Sequence, residues 1–138
     1  MAGNQQIVVT NFADLVASRR EWIDGVLKPW CRGARLADLK RAELDWADIA
    51  GRVEPEATLW IWAWSRFPAL VHEQLPGINE THEVKVTLKS GSVHKGYPDN
   101  RQSKGGRLIL LCAGAEAGRR LVESPPISID EIAAVERV

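Results

Sequence analysis

Three histidines (His72, His82 and His94), two cysteines (Cys31 and Cys112) and a cluster of basic residues between positions 85 and 107 are the side chains of this sequence best suited to chemistry. A zinc centre needs ligands at short, recurrent spacings, and no histidine stands in an H-x-x-H or H-E-x-x-H arrangement. The cysteines match no metal or redox spacing; two free thiols are the default reading, with a single disulfide between them as the alternative. Cys112 closes an apolar run, a setting for a buried, inert thiol rather than an activated nucleophile. Lys104-Gly-Gly-Arg107 is a flexible basic loop that lacks the spacing and the strand–loop–helix setting of a phosphate-binding loop. Asp130-Glu131 suits a turn, through local backbone hydrogen bonds, better than acid–base work. No catalytic residue, metal or cofactor is assigned, and the chain is expected not to be an enzyme.

Binding chemistry is better represented. From residue 85 to 107 the basic residues Lys85, Lys89, Lys95, Arg101, Lys104 and Arg107 meet a single acid, Asp99. Such an excess can neutralise phosphates and make binding salt-dependent. Lys95, Arg101, Lys104 and Arg107 are therefore candidate nucleic-acid contacts, with RNA the partner. The competing reading is that strand lysines keep an exposed sheet soluble, and only Tyr97 offers a ring on which a base could stack. The tryptophans form a second set. Trp30, Trp60 and Trp64 are candidate interface residues, because tryptophan concentrates at interaction hot spots. The competing assignment is a core that uses large rings to join two modules. Trp30, in the turn Pro29-Trp30-Cys31, is the ring most expected to be exposed.

These residues must be held by elements that a chain of 138 residues can build, either one compact domain or two small modules sharing a core. Hydrophobic residues make up 45 % and charged residues 26 %, which excludes wholesale disorder. Eighteen Lys and Arg balance eighteen Asp and Glu, so no chain-wide field draws the protein to nucleic acid or membrane. There is no apolar run of bilayer-spanning length, and MAGNQQIVVT does not read as a secretion signal. A cytoplasmic location away from membranes is expected.

Eight of nine aromatic residues precede position 68, and only Tyr97 follows. Apolar residues recur with helical spacing before residue 80 and alternate after it, with Pro76-Gly77 as punctuation. This divides the chain into a helical, Trp-rich region, 1–79, and a small β module, 80–138. The first helix is expected from Phe12 to Leu27, with Asn11 as its N-cap and Pro29 as its stop. Its apolar stripe is Phe12, Leu15, Val16, Trp22, Ile23, Val26 and Leu27, interrupted by Arg19. A second helix fits Arg35 to Ala50 and ends at Gly51. A third begins near Pro55; the tryptophan alternation over 58–64 permits a strand, but the Pro-Glu-Ala start and the spacing Leu59, Trp62, Ala63, Phe67 favour helix. Phe67-Pro68 ends it, and Ala69 to Leu75 adds a short helical tail.

In the second region His82–Lys89 alternates with Val84, Val86 and Leu88 inward. Ser90-Gly91 turns the chain into Ser92–Tyr97. After the loop Pro98–Gly106, the strand Arg107–Cys112 is apolar on both faces and belongs centrally or against the helices. Ile127–Ile129 and Ala133–Arg137 complete five short strands.

The stretch Val84-Lys-Val-Thr-Leu88-Lys-Ser-Gly91-Ser-Val-His-Lys-Gly96 resembles the first half of the Sm-like motif, in which an alternating strand leads to L-x-x-G and a second glycine five residues on. Glycine there permits strong strand curvature where a Cβ would clash. Ile127–Val135 is similar to the closing strand pair of Sm-like and related SH3-like barrels. The resemblance spans residues 82–138 and implies a small five-stranded barrel. The family's Asp-x-x-Met-Asn-type loop and Arg-Gly pair have no counterpart, since Pro98-Asp99-Asn100 and Ile129-Asp130-Glu131 stand there instead. The expectation is thus an α+β protein in which two or three N-terminal helices pack on a five-stranded Sm-like or SH3-like barrel. Its expected role is a non-catalytic interaction or adaptor protein, self-associating or bound to a protein partner; the alternative is RNA binding through the basic loop.

Overall fold

The computed structural model describes residues 12–72, 75, 77–113 and 121–138; the expected cap Asn11 and Pro76 lie outside the described residues. The chain is α+β, with helices first and a mostly antiparallel sheet after them. No helix among the described residues is long and apolar enough to cross a membrane.

Pro29 does not stop the first helix. Helix α1 (Phe12–Trp22) passes through a π turn (Ile23–Leu27) directly into α2 (Lys28–Gly33). The amide of Lys28 reaches back to the carbonyl of Ile23. That wider turn falls where the Pro29 ring would crowd an ordinary α-helix, and the proline sits in the first turn of α2. The expected second helix is split into α3 (Leu36–Leu44) and α4 (Trp46–Ala50) at Asp45, whose φ of −106° and ψ of 15° leave the helical region. Gly51, at φ +85°, ends α4.

A single 3-10 turn (Pro55–Ala57) leads into α5 (Leu59–Trp64), so the tryptophan-rich stretch is helical. The helical tail after Pro68 is shorter than expected. Among the described residues of this segment Pro68–Leu70 form a 3-10 turn, and Val71 is extended, bridged to Ile78.

The strands are β1 (Val84–Leu88), β2 (Val93–Pro98), β3 (Arg107–Leu108), β4 (Leu110–Ala113), β5 (Leu121–Glu123), β6 (Ile127–Ser128) and β7 (Ile132–Arg137). Five form one sheet in the order β5-β4-β2-β1-β7, and β3 pairs with β6 beside it. Among the described residues no ladder joins β5 to β7, so the sheet is open and these two strands are its edges. The expected strand Arg107–Cys112 is interrupted at Ile109, whose amide turns to Ser103 Oγ (2.8 Å), while the amide of Leu110 donates to Ser124 Oγ (2.9 Å). Two buried serines thus supply the partners that the ladder omits. Gly91 turns β1 into β2 at φ +97°. At Gly96 a Cβ would lie 2.7 Å from the carbonyl oxygen of Leu111, so only glycine lets β4 approach β2 there.

One apolar core spans both regions. It joins Leu39, Trp46, Leu59, Trp60, Trp64 and Leu70 to Val84, Val86, Leu108, Leu110, Ile129 and Ile132. Polar pins cross the same boundary. Asp130 Oδ1 accepts from the amide of Leu36 at 2.9 Å, which satisfies an otherwise orphaned donor in the first turn of α3. Arg66 donates to the carbonyls of Cys31 (2.8 Å), Ala34 (2.7 Å) and Ala63 (3.0 Å), tying the end of α2 to the end of α5.

Candidate interaction surface

The residues singled out for nucleic acid lie on β2, on the loop that follows it and at the start of β3. Lys95 faces outward on β2 beside Tyr97, opposite Lys85, which pairs with Glu136 at 3.7 Å. Arg101 is exposed in the loop, where its amide donates to Asp99 Oδ1 at 3.0 Å. Lys104 leans towards the helical region and lies 3.8 Å from Glu56 Oε2. Arg107 opens β3, opposite Ser128. Opposite charge offsets part of the positive excess: Lys85 pairs with Glu136, and Lys104 lies near Glu56.

The tryptophans divide between core and surface. Trp60 and Trp64 are 2 % and 1 % exposed, which removes both as surface contacts. Burying a large ring with its one polar atom satisfied explains the first of them, since Trp60 Nε1 donates to Glu43 Oε2 at 2.9 Å. Trp46 is equally buried and donates to Thr58 Oγ1 at 2.9 Å. Trp62 meets Trp46 edge-on, with ring centroids 6.0 Å apart, and the Lys28 ammonium lies over its ring at 5.4 Å. Trp30 remains at the surface, 43 % exposed.

The thiols are both free, with Cys31 in the core and Cys112 half-buried in β4. Burial raises the Cys31 thiol from 9.0 to about 11, against the smaller opposing pull of Arg66 and Arg32. Cys112 is raised too, by burial first and by Glu83 second. Neither is an activated nucleophile. His82 serves the Asn79 turn, with Nε2 3.0 Å from Asn79 Nδ2. Among the described residues no three His, Cys, Asp or Glu side chains gather in a metal-binding group. Asp130 and Glu131 do serve a turn, in which Glu131 accepts from the amide of Ser128 at 3.0 Å, but Asp130 also holds α3.

Sequence reasoning missed the most conspicuous surface. The expected stripe of the first helix is largely uncovered, and no residue of α1 is buried. Phe12 is 78 % exposed, and Leu15, Val16, Trp22 and Val26 are exposed with it. Ile23, Leu27 and Cys31, spaced by four, pack on the core. Trp22, Val26 and Trp30, also spaced by four, run alongside as an uncovered ridge. In an α-helix, residues four apart drift by about 40° per step; the wider π turn offsets that drift and keeps both rows straight. No local signal marks this difference, because the stripe from Phe12 to Leu27 is equally apolar whether or not another element covers it.

Beside the ridge lies a groove of about 480 Å³ between α2 and the α3–α4 pair. Leu27, Ala42, Trp46 and Ile49 form its apolar lining, Trp30 one wall, and Asp38, Arg41 and Asp45 its rim. A larger cleft of about 710 Å³ borders the Pro68 turn and β7, and includes His72, Asn79, Ser65 and Arg137. Two of its polar walls are already engaged: Ser65 Oγ accepts from Arg32 at 3.0 Å, and Asn79 Oδ1 accepts from the amide and hydroxyl of Thr81. Compared with known proteins, the chain matches no family model, no curated protein and no solved structure.

Proposed function

We propose that this chain is a non-catalytic interaction protein that self-associates, with a C-terminal half of the Sm-like or SH3-like small-barrel kind. The barrel reading is supported by the antiparallel order β7-β1-β2-β4-β5, in which the last strand returns beside the first, and by the two glycines of the β1–β2 hairpin. The observation that carries the functional reading is the uncovered apolar ridge on the first helical run. Soluble proteins rarely expose contiguous apolar patches of this kind unless something docks on them, and its two tryptophans are the residue type most enriched at binding hot spots. Light scattering on the purified chain tests it. Association at micromolar concentration that Leu15→Glu abolishes supports the reading; a strict monomer with no co-purifying protein refutes it.

A second reading, RNA binding, draws on Lys95 and Tyr97 sharing the outer face of β2, where a base can stack next to a cation. Its mark is a steep loss of single-stranded RNA affinity with salt, weakened by reversing Arg101 and Lys104. Salt-independent or absent binding excludes it.

A further inference from the structure

The same chain carries a projecting apolar helix end and an unfilled apolar groove, and their charges are complementary. The first turns of α1 leave Phe12, Leu15 and Val16 exposed, with no residue of α1 buried among the described residues. Arg20 follows Val16 by one turn, and no ion pair involves it among the described residues. The groove has an apolar lining and a rim of Asp38, Arg41 and Asp45, two acids to one base, and neither acid has an ion-pair partner among the described residues. Asp45 is exposed and its side chain makes no capping hydrogen bond for α4.

Resting on the self-association reading, we propose that the occupant of the groove is the α1 end of a second copy. The exchange is reciprocal and two-fold, and it brings Arg20 of each copy against the acidic rim of the other. A two-fold arrangement uses each feature once per chain and leaves neither exposed, which closes the assembly at a dimer. The helical run is continuous from Phe12 to Gly33, so an antiparallel partner laid on it has its α1 end alongside Val26 and Trp30 at the mouth of the groove. The uncovered part of Phe12, Leu15, Val16, Trp22, Val26 and Trp30 amounts to about 600 Å² per copy, hence roughly 1,200 Å² for the pair, at the lower end of stable interfaces.

Sedimentation of the full chain from about 1 to about 200 µM tests this. The wild type should dimerise. Arg20→Asp and Asp45→Arg, both at exposed positions, should each weaken the dimer about tenfold, and the double variant should recover to within about threefold of wild type. Circular dichroism checks that each variant is folded. A dimer broken by Leu15→Glu but indifferent to both charge reversals overturns the groove assignment while self-association through α1 stands. Charge reversals that each weaken the dimer but do not compensate also overturn it. A wild type that stays monomeric throughout overturns both readings.

Discussion

Gly106, in the turn before β3, packs directly against Leu36 and Trp60 of the helical region, and replacing it with alanine should be costly. Its φ is +79°, and a Cβ there would collide with the end of Leu36 and lie 2.8 Å from Cζ3 of Trp60. The tip of the half-buried Leu36 side chain can swing aside, but the Trp60 ring does not yield freely. The Trp60 ring is 2 % exposed and held by Glu43, and the backbone of Leu36 is pinned by Asp130. Forcing an L-residue into left-handed backbone costs about 1–2 kcal/mol, and overpacking a filled site adds about 1–3 kcal/mol. The reduced freedom of the unfolded chain returns about 0.5 kcal/mol. Gly106→Ala should therefore destabilise by about 2–4 kcal/mol, a large share of the roughly 5–15 kcal/mol typical of a domain.

Two other glycines separate the contributions. Gly105 has φ +61° but nothing within 4 Å of where an alanine methyl would stand, so Gly105→Ala should lose only about 1 kcal/mol. Gly25 has open space and no left-handed backbone, and Gly25→Ala should stabilise by about 0.5–1 kcal/mol. Urea unfolding followed by tryptophan fluorescence measures all three. If Gly106→Ala costs no more than Gly105→Ala, the close approach of sheet to helix at this residue is wrong.

Asp130→Ala removes the carboxylate that holds the Leu36 amide and should cost about 1–2 kcal/mol, with Asp130→Asn recovering part of it; equal stability of alanine and wild type in urea would refute the pin. Arg66 makes three bonds to carbonyls of two helix ends, which a lysine cannot match, so Arg66→Lys should lose about 2–3 kcal/mol in the same assay. An unchanged midpoint there would show that the fork is dispensable. Cys31 gives an alkaline signature. Its folded thiol is raised by burial from 9.0 to about 11, so the unfolded chain ionises first. The contribution is fully present below pH 9 and is lost as pH rises towards 11, about 2–3 kcal/mol across that window. Cys31→Ala should flatten this part of the pH–stability curve, and superimposable curves would refute it.

The helical elements are legible in the sequence where local chemistry acts alone. Pro55-Glu-Ala starts a turn, Gly51 ends α4, and the alternation from Val84 to Leu88 points one row of side chains inward. Pro29 misleads because the rule that proline ends a helix assumes α geometry, whereas the chain spends one extra residue on a π turn and continues. Ile109 reads as mid-strand, yet its hydrogen-bond partner is the side chain of Ser103, a contact no local pattern announces. The same holds for the candidate site. Trp60 and Trp64 are as apolar as Trp22 and Trp30, so residue type could not divide them. The basic residues of the β module are close in sequence but belong to separate elements, and Lys104 finds its carboxylate 48 positions away on the Pro55 turn.

Periodicity, composition and turn residues determined the order of the elements, the change from helix to strand and the glycines that a tight hairpin requires, because each of these depends on neighbours within a few residues. Which apolar surface would be covered was decided only by the tertiary structure. Burial depends on whether another element reaches the same place, and among the described residues none buries α1. The row Ile23, Leu27 and Cys31 meets the core, while Phe12, Leu15 and Val16 on that same helical run stay exposed with their apolar surface unsatisfied.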